Sequence, residues 1–278
     1  MGIQIAPHIL RYYRHIARAL ESLDPEARPW ALASPGSLPP RGDTIVFPGS
    51  FNPPTLAHMA MLRQARKLSG ARWHVYAALS KQIVDKEEVE RMTLLDRVVV
   101  LERVLKNQVK DAGVLLFNRG LYVEQAQGMR AAFPRVRQLR FLVGFDKIVQ
   151  ILDPHYYTNR EVALNELFAL AQLLVAPRGT EGENELKELL ARPENRAFAR
   201  FIHLLPLEEK FRYMSSTHAR VEAQPDEVPE EVREFILRTR PYAPPLRLDD
   251  GTERDVYAER TRELQSLIAN GHTGTSDG

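Results

Sequence analysis

Short apolar runs recur along the middle of the chain, each separated from the next by a longer segment of helical periodicity. The runs are TIVFP, WHVYAAL, GVLLFN, LRFLVG, AQLLVAP and FIHLLP, and the helical segments are 55–69, 89–106, 121–133, 160–169 and 183–191. Strands that are apolar on both faces are typical of a parallel sheet with helices on each side. The pattern predicts an α/β fold with a doubly wound, Rossmann-like parallel sheet of about six strands. The first strand should lie centrally, and ligands should bind at the carboxyl ends of the strands.

The segments on either side of this α/β region are helical in character. Apolar residues at helical spacing occur in RYYRHIARAL near the start, and in PEEVREFILRTR and RDVYAERTRELQSLIANG near the end. We therefore expect an N-terminal helical extension over residues 1–42, a Rossmann-like domain over 43–223 and a C-terminal helical extension over 224–278. The last residues, GHTGTSDG, are typical of a disordered tail.

Composition limits the classes of protein to which the chain can belong. With 44% hydrophobic and 27% charged residues it can form a core, but it has no run of roughly 20 apolar residues for a membrane helix. The absence of cysteine excludes disulfides, thiolate nucleophiles and cysteine metal sites, and makes the cytoplasm the expected compartment. A formal charge of +2 is far below that of a dedicated nucleic-acid binder. We expect neither a membrane nor a nucleic acid as partner, so an anionic ligand needs a local site.

The stretch IVFPGSFNPPTLAH, residues 45–58, joins the first strand to the first helix of the α/β region. Gly49 in the turn lets backbone amides approach a ligand without a Cβ in the way. Asn52 is a candidate N-cap, with Pro53 and Pro54 in a first turn that needs no amide donor from them. The amino end of such a helix favours phosphate, because its amides are unpaired and its dipole is positive.

Thr55 and His58 lie three residues apart in the first turn of this helix. A hydroxyl and an imidazole at this spacing share one helix face and can converge on the same phosphate oxygens. The alternative is structural: the threonine only caps the helix, and the histidine is exposed or satisfied in the core.

A second polar cluster, YMSSTHAR at residues 213–220, follows the last candidate strand. Its hydroxyl residues can cap a short helix that contains Arg220, so that hydroxyls, amides and a guanidinium face one small volume. Such a cluster suits a triphosphate, since the arginine fork and the amides both match phosphate oxygens. The alternative is that Ser-Ser-Thr only caps a helix.

Together the two motifs resemble the signatures of the nucleotidyltransferase superfamily. GSFNPPTLAH is similar to Gly-[Ser/Thr]-Phe-[Asp/Asn]-Pro-x-[Thr/His]-x-x-His, and looks most like the form in nicotinamide mononucleotide adenylyltransferases. MSSTHAR is similar to Ile-Ser-Ser-Thr-x-x-Arg, with Met214 in place of the isoleucine. The resemblance implies that His58, Thr55 and Arg220 are catalytic. It implies ATP binding by Gly49, Ser50, Phe51, His58, Gly144, Asp146, Ser216, Thr217 and Arg220.

The segment FLVGFDKIVQILDPHYY resembles the part of the family that carries Gly-Ala-Asp, here Gly144-Phe145-Asp146, and contacts the adenosine side of the nucleotide. An acidic residue at the end of a parallel strand is well placed to accept ribose hydroxyls, whereas the alternative makes Asp146 a helix N-cap. Arg178, in VAPRG, follows the fifth strand. This position opens onto the same cleft, where Arg178 is a candidate contact for the acceptor.

For the acceptor, the resemblance also implies Lys81 and Lys86, in the loop ALSKQIVDKEEVERMTLLDR, and Tyr157, at the place of an aromatic that stacks on the pyridine ring. Solvated lysines and core packing of Tyr157 are the alternatives. Where nicotinamide enzymes have Asp-x-Trp-Glu, this chain has Phe117-Asn118-Arg119-Gly120, so the second stacking aromatic is missing.

The motifs and the resemblance together predict an enzyme that transfers the adenylyl group of ATP to nicotinamide or nicotinate mononucleotide and releases pyrophosphate. We expect a substrate-bridging Mg²⁺ held by phosphate oxygens and water, because no carboxylate pair or histidine cluster has metal-ligand spacing. Two alternatives stay open: a cytidylyltransferase or other adenylyltransferase with a different phosphorylated acceptor, and a nucleotide-binding sensor without turnover. A homo-oligomer is also open, since superfamily members often assemble.

Overall fold

A seven-stranded sheet organises the protein, and the strand Gly42–Pro48 (β2) lies at its centre. The computed structural model describes residues 5–70, 72–82, 92–221 and 225–270. The strand order is β1-β4-β3-β2-β5-β6-β7, and all neighbours are parallel except β1, which is antiparallel to β4. The predicted doubly wound parallel sheet is confirmed. Its strands are β1 (Ala31–Ala33), β2 (Gly42–Pro48), β3 (Trp73–Ser80), β4 (Gly113–Phe117), β5 (Val136–Gly144), β6 (Gln172–Ala176) and β7 (Ile202–Leu204).

Helices cover both faces of the sheet, because successive buried residues of a strand point to opposite sides. Ile45 and Phe47 of β2 pack with the helices of one face, and Val46 packs with those of the other. The first face carries α2 (Leu56–Ser69) and α3 (Leu94–Gln108). The second carries α4 (Tyr122–Ala132), α5 (Phe145–Leu152), α6 (Arg160–Leu170) and α7 (Glu183–Ala191).

The remaining elements lie near the two chain ends and around the second polar motif. They are α1 (Pro7–Glu21), α8 (Glu209–Arg212), α9 (Ser216–Val221), α10 (Glu230–Thr239), α11 (Val256–Ala269) and a small antiparallel pair, β8 (Leu246–Arg247) with β9 (Glu253–Arg254). Helices α1 and α11 pack together through Tyr13, Leu264 and Ile268. None of the helices in the described ranges has the length and apolar character needed to cross a bilayer.

The predicted elements differ from the structure in a few places. All six apolar runs are strands, but β1 was not predicted because its three residues, ALA, carry no β-branched or aromatic signal. The prediction of Asn52 as N-cap is wrong: α2 begins at Leu56, and Thr55 caps it by accepting the amide proton of His58. The predicted start of the next helix at residue 89 and the GHTGTSDG tail lie outside the described residues.

Asn118, in the segment that departs from Asp-x-Trp-Glu, ties the N-terminal segment to the sheet. Its side chain is 1% exposed. Oδ1 accepts the amide proton of Trp30 at 2.7 Å, and Nδ2 donates to the carbonyls of Asp24 and Arg28 at 2.8 and 2.9 Å. Strand β1 follows Trp30 directly, so part of the predicted N-terminal extension belongs to the sheet, while the proposed domain boundaries stay a prediction.

We predict that Asn118→Ala lowers the free energy of unfolding by about 3 kcal/mol, because buried backbone groups lose their partners. Urea denaturation measures this change. Asn159→Ala serves as the control, since Asn159 is an exposed N-cap of α6 that accepts one amide proton from Val162. Its loss should cost only about 1 kcal/mol. Equal effects of the two substitutions would contradict the tethering role of Asn118.

Candidate active site

The second motif docks directly on the loop of the first, residues 48–54, which we call the β2–α2 loop. Arg220 of α9 donates through Nη1 to the carbonyl of Asn52. The Ser216 hydroxyl donates to the carbonyl of Pro53 at 2.7 Å. These bonds join positions up to 168 residues apart, so the parallel order of the strands is what brings the two motifs together.

Helix α9 is held by a hydroxyl cap at its start and by a side-chain contact of His218. The Ser215 hydroxyl accepts the amide proton of His218 at 3.0 Å, which confirms the predicted short helix with a hydroxyl cap. His218, for which the sequence suggested no role, lies with Nδ1 2.8 Å from the Glu227 carboxylate. Thr217 is exposed, and its hydroxyl accepts from Nη2 of Arg220 at 3.4 Å. The second motif therefore presents Thr217 to solvent from a fixed helix.

Two residues outside both motifs hold the same loop, and sequence reasoning missed them. Arg97 of α3 donates through Nη1 to the carbonyl of Ser50 at 3.0 Å, while Ser50 itself is exposed. Tyr242, after α10, donates its hydroxyl proton to Oδ1 of Asn52 at 2.6 Å. The sequence around Arg97 does indicate a special role. Arg97 is a charged residue on the same helix face as the apolar residues 101 and 104, where an apolar residue is expected. Tyr242 carried none.

Aromatic packing fixes the turn and the catalytic histidine candidate. The amide of Gly49 donates to the carbonyl of Ala78 at 3.0 Å, and a Cβ at Gly49 would lie 3.1 Å from the ring of Phe51. Phe51 has a φ of 45° and is fully buried. Its ring centroid is 5.4 Å from that of Phe47 and 5.0 Å from that of His58. The Phe51 ring therefore packs against the His58 ring and has no exposed surface in this structure.

Thr55 and His58 form a reciprocal capping box at the start of α2. The Thr55 amide donates to Nδ1 of His58 at 2.9 Å, and the Thr55 hydroxyl accepts the His58 amide proton at 3.4 Å. Because Nδ1 is an acceptor, the proton of the neutral ring is on Nε2. Thr55 is fully buried. Its hydroxyl cannot reach a phosphate as the shared-face prediction required, so Thr55 is a positioning residue and only His58 offers a donor.

The His58 ring stays neutral at physiological pH. Desolvation by burial, with a smaller contribution from the charge of Arg178, lowers the pKa of His58 from 6.5 to about 4. A neutral imidazole with its proton on Nε2 is a hydrogen-bond donor that does not change its charge between pH 5 and 9. The site therefore provides an uncharged, oriented donor beside the first turn of α2.

Two charged candidates, which follow the ends of β5 and β6 in the chain, pair with each other. Arg178 Nη1 forms an ion pair with Asp146 Oδ2, and both side chains are about half exposed. Gly144 is the N-cap of α5, so the alternative that made Asp146 the cap is wrong. A Cβ at Gly144 would meet no atom within 4 Å, which leaves open space at the end of β5. The positive charge of Arg178 also contributes to the lowered pKa of His58.

Three further residues are candidates for binding the acceptor, and the structure describes two of them. The Tyr157 hydroxyl donates to the carbonyl of Ile151 at 2.9 Å, and its half-buried ring packs against the apolar cluster of the second face. Lys81 Nζ donates to the carbonyl of Leu20 at the end of α1 at 2.9 Å. Lys86 lies outside the described residues. The acceptor roles of these three residues stay predictions.

The site thus combines a neutral imidazole donor, guanidinium groups and hydroxyls at the carboxyl ends of parallel strands. This arrangement is suited to binding a polyphosphate and to stabilising charge on it, without a nucleophile from the protein. The fold and the site define a nucleotidyltransferase. The chain belongs to the cytidylyltransferase-like family, whose model matches residues 46–220.

Relatives in sequence are named as adenylyltransferases. A Schizosaccharomyces pombe protein named as a nicotinamide mononucleotide adenylyltransferase is 26% identical over an alignment 218 residues long, and the alignment covers 71% of this chain and 85% of the relative. Phosphopantetheine adenylyltransferase of Lachnoclostridium phytofermentans is 27% identical over 117 residues, which are 42% of this chain and 66% of the relative. These relatives support an adenylyltransferase-type enzyme.

A solved structure has the same fold. It is the Plasmodium falciparum nicotinic acid mononucleotide adenylyltransferase complexed with APC, with a TM-score of 0.50 and 15% sequence identity. The similarity covers 73% of this chain and 98% of that chain. The Rossmann-like architecture of the whole neighbour is therefore present here.

We predict that acid destabilises the protein through His58. Its pKa is about 4 in the folded chain and 6.5 when unperturbed, so the unfolded chain binds the proton more tightly. The contribution to stability is complete above pH 6.5 and is lost as the pH falls toward 4. Urea denaturation from pH 7 to 4 should give a steeper loss for the wild type than for His58→Asn, whose side-chain oxygen can accept the same amide proton.

Nitrogen-15 NMR of the imidazole gives an independent check of this prediction. At pH 7 the spectrum should show a neutral ring protonated on Nε2. A ring that titrates near pH 6.5, or carries its proton on Nδ1, would contradict the capping-box geometry.

Proposed function

We propose that this enzyme transfers the adenylyl group of ATP to the phosphate of a pyridine mononucleotide, nicotinamide mononucleotide or its acid form. The observation that carries the proposal is the contact between the motifs, in which Arg220 and Ser216 bind the carbonyls of Asn52 and Pro53. The names of the S. pombe relative and of the P. falciparum structure support this acceptor class. The products would be the dinucleotide and pyrophosphate.

In this reaction an acceptor phosphate oxygen attacks the α-phosphorus of ATP. A bond forms between that oxygen and phosphorus, and the bond from phosphorus to the α,β-bridging oxygen breaks, so that pyrophosphate leaves with the electron pair. The protein contributes positioning and charge stabilisation and no covalent bond. We assign the Nε2 proton of His58 to a non-bridging oxygen of the α-phosphate. Arg220 and Thr217 are assigned to the β- and γ-phosphates.

Mg²⁺ enters this proposal as part of the ATP substrate, where it bridges phosphate oxygens and reduces their charge. Over the described ranges, no three histidine, aspartate or glutamate side chains come together as a ligand set. We assign the ion to phosphate oxygens and water, because Mg²⁺ usually keeps several waters and binds substrate phosphates at such sites.

We also propose that the Asp146 carboxylate binds the ribose hydroxyls of ATP. Arg178 would take part in this contact, because the Arg178 and Asp146 side chains form an ion pair.

A different phosphorylated acceptor is the second candidate. Arg119 stands where nicotinamide enzymes have the stacking tryptophan, and Arg119 and its neighbour Asn118 both bind backbone carbonyls of the N-terminal segment. The Tyr157 hydroxyl also points to a backbone carbonyl of its own helix region. Similarity to a phosphopantetheine adenylyltransferase makes phosphopantetheine the leading acceptor of this second kind.

Pyrophosphate release by the purified protein separates these candidates. The assay contains Mg²⁺, either ATP or CTP, and one of nicotinamide mononucleotide, nicotinate mononucleotide, phosphopantetheine or phosphocholine. Release with ATP and a pyridine mononucleotide supports the proposal. Release with ATP and phosphopantetheine supports the second candidate, and a requirement for CTP indicates cytidylyl transfer. If no acceptor leads to pyrophosphate release and the protein still binds ATP, the result would indicate a nucleotide sensor.

We predict that His58→Ala lowers kcat by roughly 30- to 1,000-fold, corresponding to about 2 to 4 kcal/mol of transition-state stabilisation. ATP binding, measured by calorimetry, should persist, because the other phosphate contacts remain. His8→Ala is the control, since His8 is exposed on α1. Full activity of His58→Ala would contradict the role of the imidazole.

A further inference from the structure

Arg97 is a buried cation directly behind the β2–α2 loop. It is 6% exposed and donates to the carbonyl of the exposed residue Ser50 at 3.0 Å. Its Nε has no hydrogen-bond partner. Among the residues that the structure describes, no carboxylate forms an ion pair with it. A buried charge without a counter-ion is costly to folding, so its presence beneath a loop calls for a physical reason.

The carboxylate nearest to Arg97 in sequence is that of Asp96, and it forms its ion pair with a different arginine, Arg260. Arg260 of α11 binds both carboxylate oxygens of Asp96, at 2.8 and 3.0 Å, and Tyr257 donates to the same group at 2.8 Å. Asp96 is 1% exposed. Helix α11 lies outside the residues that match the family model. The C-terminal helix thus fixes the first turn of α3 and leaves the charge of Arg97 uncompensated.

Tyr242 adds a second support from the C-terminal segment. Its hydroxyl donates to Asn52 Oδ1 at 2.6 Å. Burial raises the pKa of Tyr242, and the charges of Arg220 and Arg97 oppose this shift, so the phenol lies within electrostatic reach of both arginines. The hydroxyl therefore stays protonated, as a donor requires. Two arginines and one tyrosine, from three separate elements, hold the carbonyls and the side chain of residues 50–52.

We propose that Arg97 is a positioning residue of the active site: it holds the Ser50 carbonyl and places an uncompensated positive charge beneath the loop that receives the ATP polyphosphate. The C-terminal segment, through Arg260 and Tyr242, keeps it there. The inference rests on the assignment of the β2–α2 loop to ATP under the proposed function, and does not depend on which acceptor is used.

The test compares Arg97→Gln and Arg97→Lys with matched variants of Arg130. Arg130 is also a partly buried arginine that binds backbone carbonyls, those of Val136, Arg137 and Leu170. It lies at the end of α4 and beside the start of β5, whereas the loop follows the end of the parallel strand β2. Calorimetry gives the Kd for MgATP at low and high salt, and thermal unfolding gives Tm. Arg97→Gln should weaken ATP binding about tenfold or more and flatten its salt dependence, because a charge is lost. Arg97→Lys should recover part of the affinity.

Arg130→Gln should lower Tm and leave the Kd for ATP within about twofold of the wild type, because its bonds serve only the fold. Tyr242→Phe should weaken ATP binding severalfold, whereas Tyr76→Phe, which loses a hydrogen bond to the carbonyl of Leu38, should not. If Arg97→Gln does not fold, Arg97→Lys and Tyr242→Phe decide the question.

Wild-type affinity and salt dependence in folded Arg97 variants would overturn the inference. Failure of the proposed acceptor is distinguishable, because it would appear as absent transfer by the wild type with ATP binding intact. The Kd comparison would then still test Arg97.

Discussion

The contact of Arg220 and Ser216 with the carbonyls of Asn52 and Pro53 is the interaction on which the active site depends. It can form only because β2 is central and the chain returns past β5, β6 and β7 before reaching α9. Strands from distant parts of the sequence then end at one edge, as in other doubly wound sheets. Once the loop is held there, the orientation of His58 follows, because its ring is bonded to Thr55 and packed on Phe51.

The arginines of the site differ in how their charges are compensated. Arg178 is paired with Asp146 near the surface, where solvent screens both charges. Arg97 is buried and binds a backbone carbonyl, with no paired carboxylate in the described part of the chain. The protein has a formal charge of only +2, so its affinity for an anion would come from this local placement of arginines rather than from its net charge. The neutral His58 adds a directional donor without adding charge.

The fold was largely predictable because strand and helix periodicity agree with the tertiary structure. Every predicted apolar run is a strand in the structure. Strand β1 was not predicted, because it is defined by its pairing with β4, which is distant in sequence. Both motifs could be identified from the sequence. The spacing of Thr55 and His58 does not reveal that the Thr55 side chain is buried and forms a capping box with His58. Arg97 was discernible as a charge on an apolar helix stripe. Contacts such as those of Tyr242 and Asn118 join residues far apart in sequence, and no local pattern encodes them.

If the site directs attack to the α-phosphorus of ATP, the α- and γ-phosphates of ATP must end in different products. Purified protein is incubated with Mg²⁺, nicotinamide or nicotinate mononucleotide, and ATP labelled with phosphorus-32 at either the α- or the γ-position. We expect the α-label in a dinucleotide and the γ-label in pyrophosphate. A γ-label in the acceptor, or an α-label only in free AMP, would contradict adenylyl transfer to the acceptor.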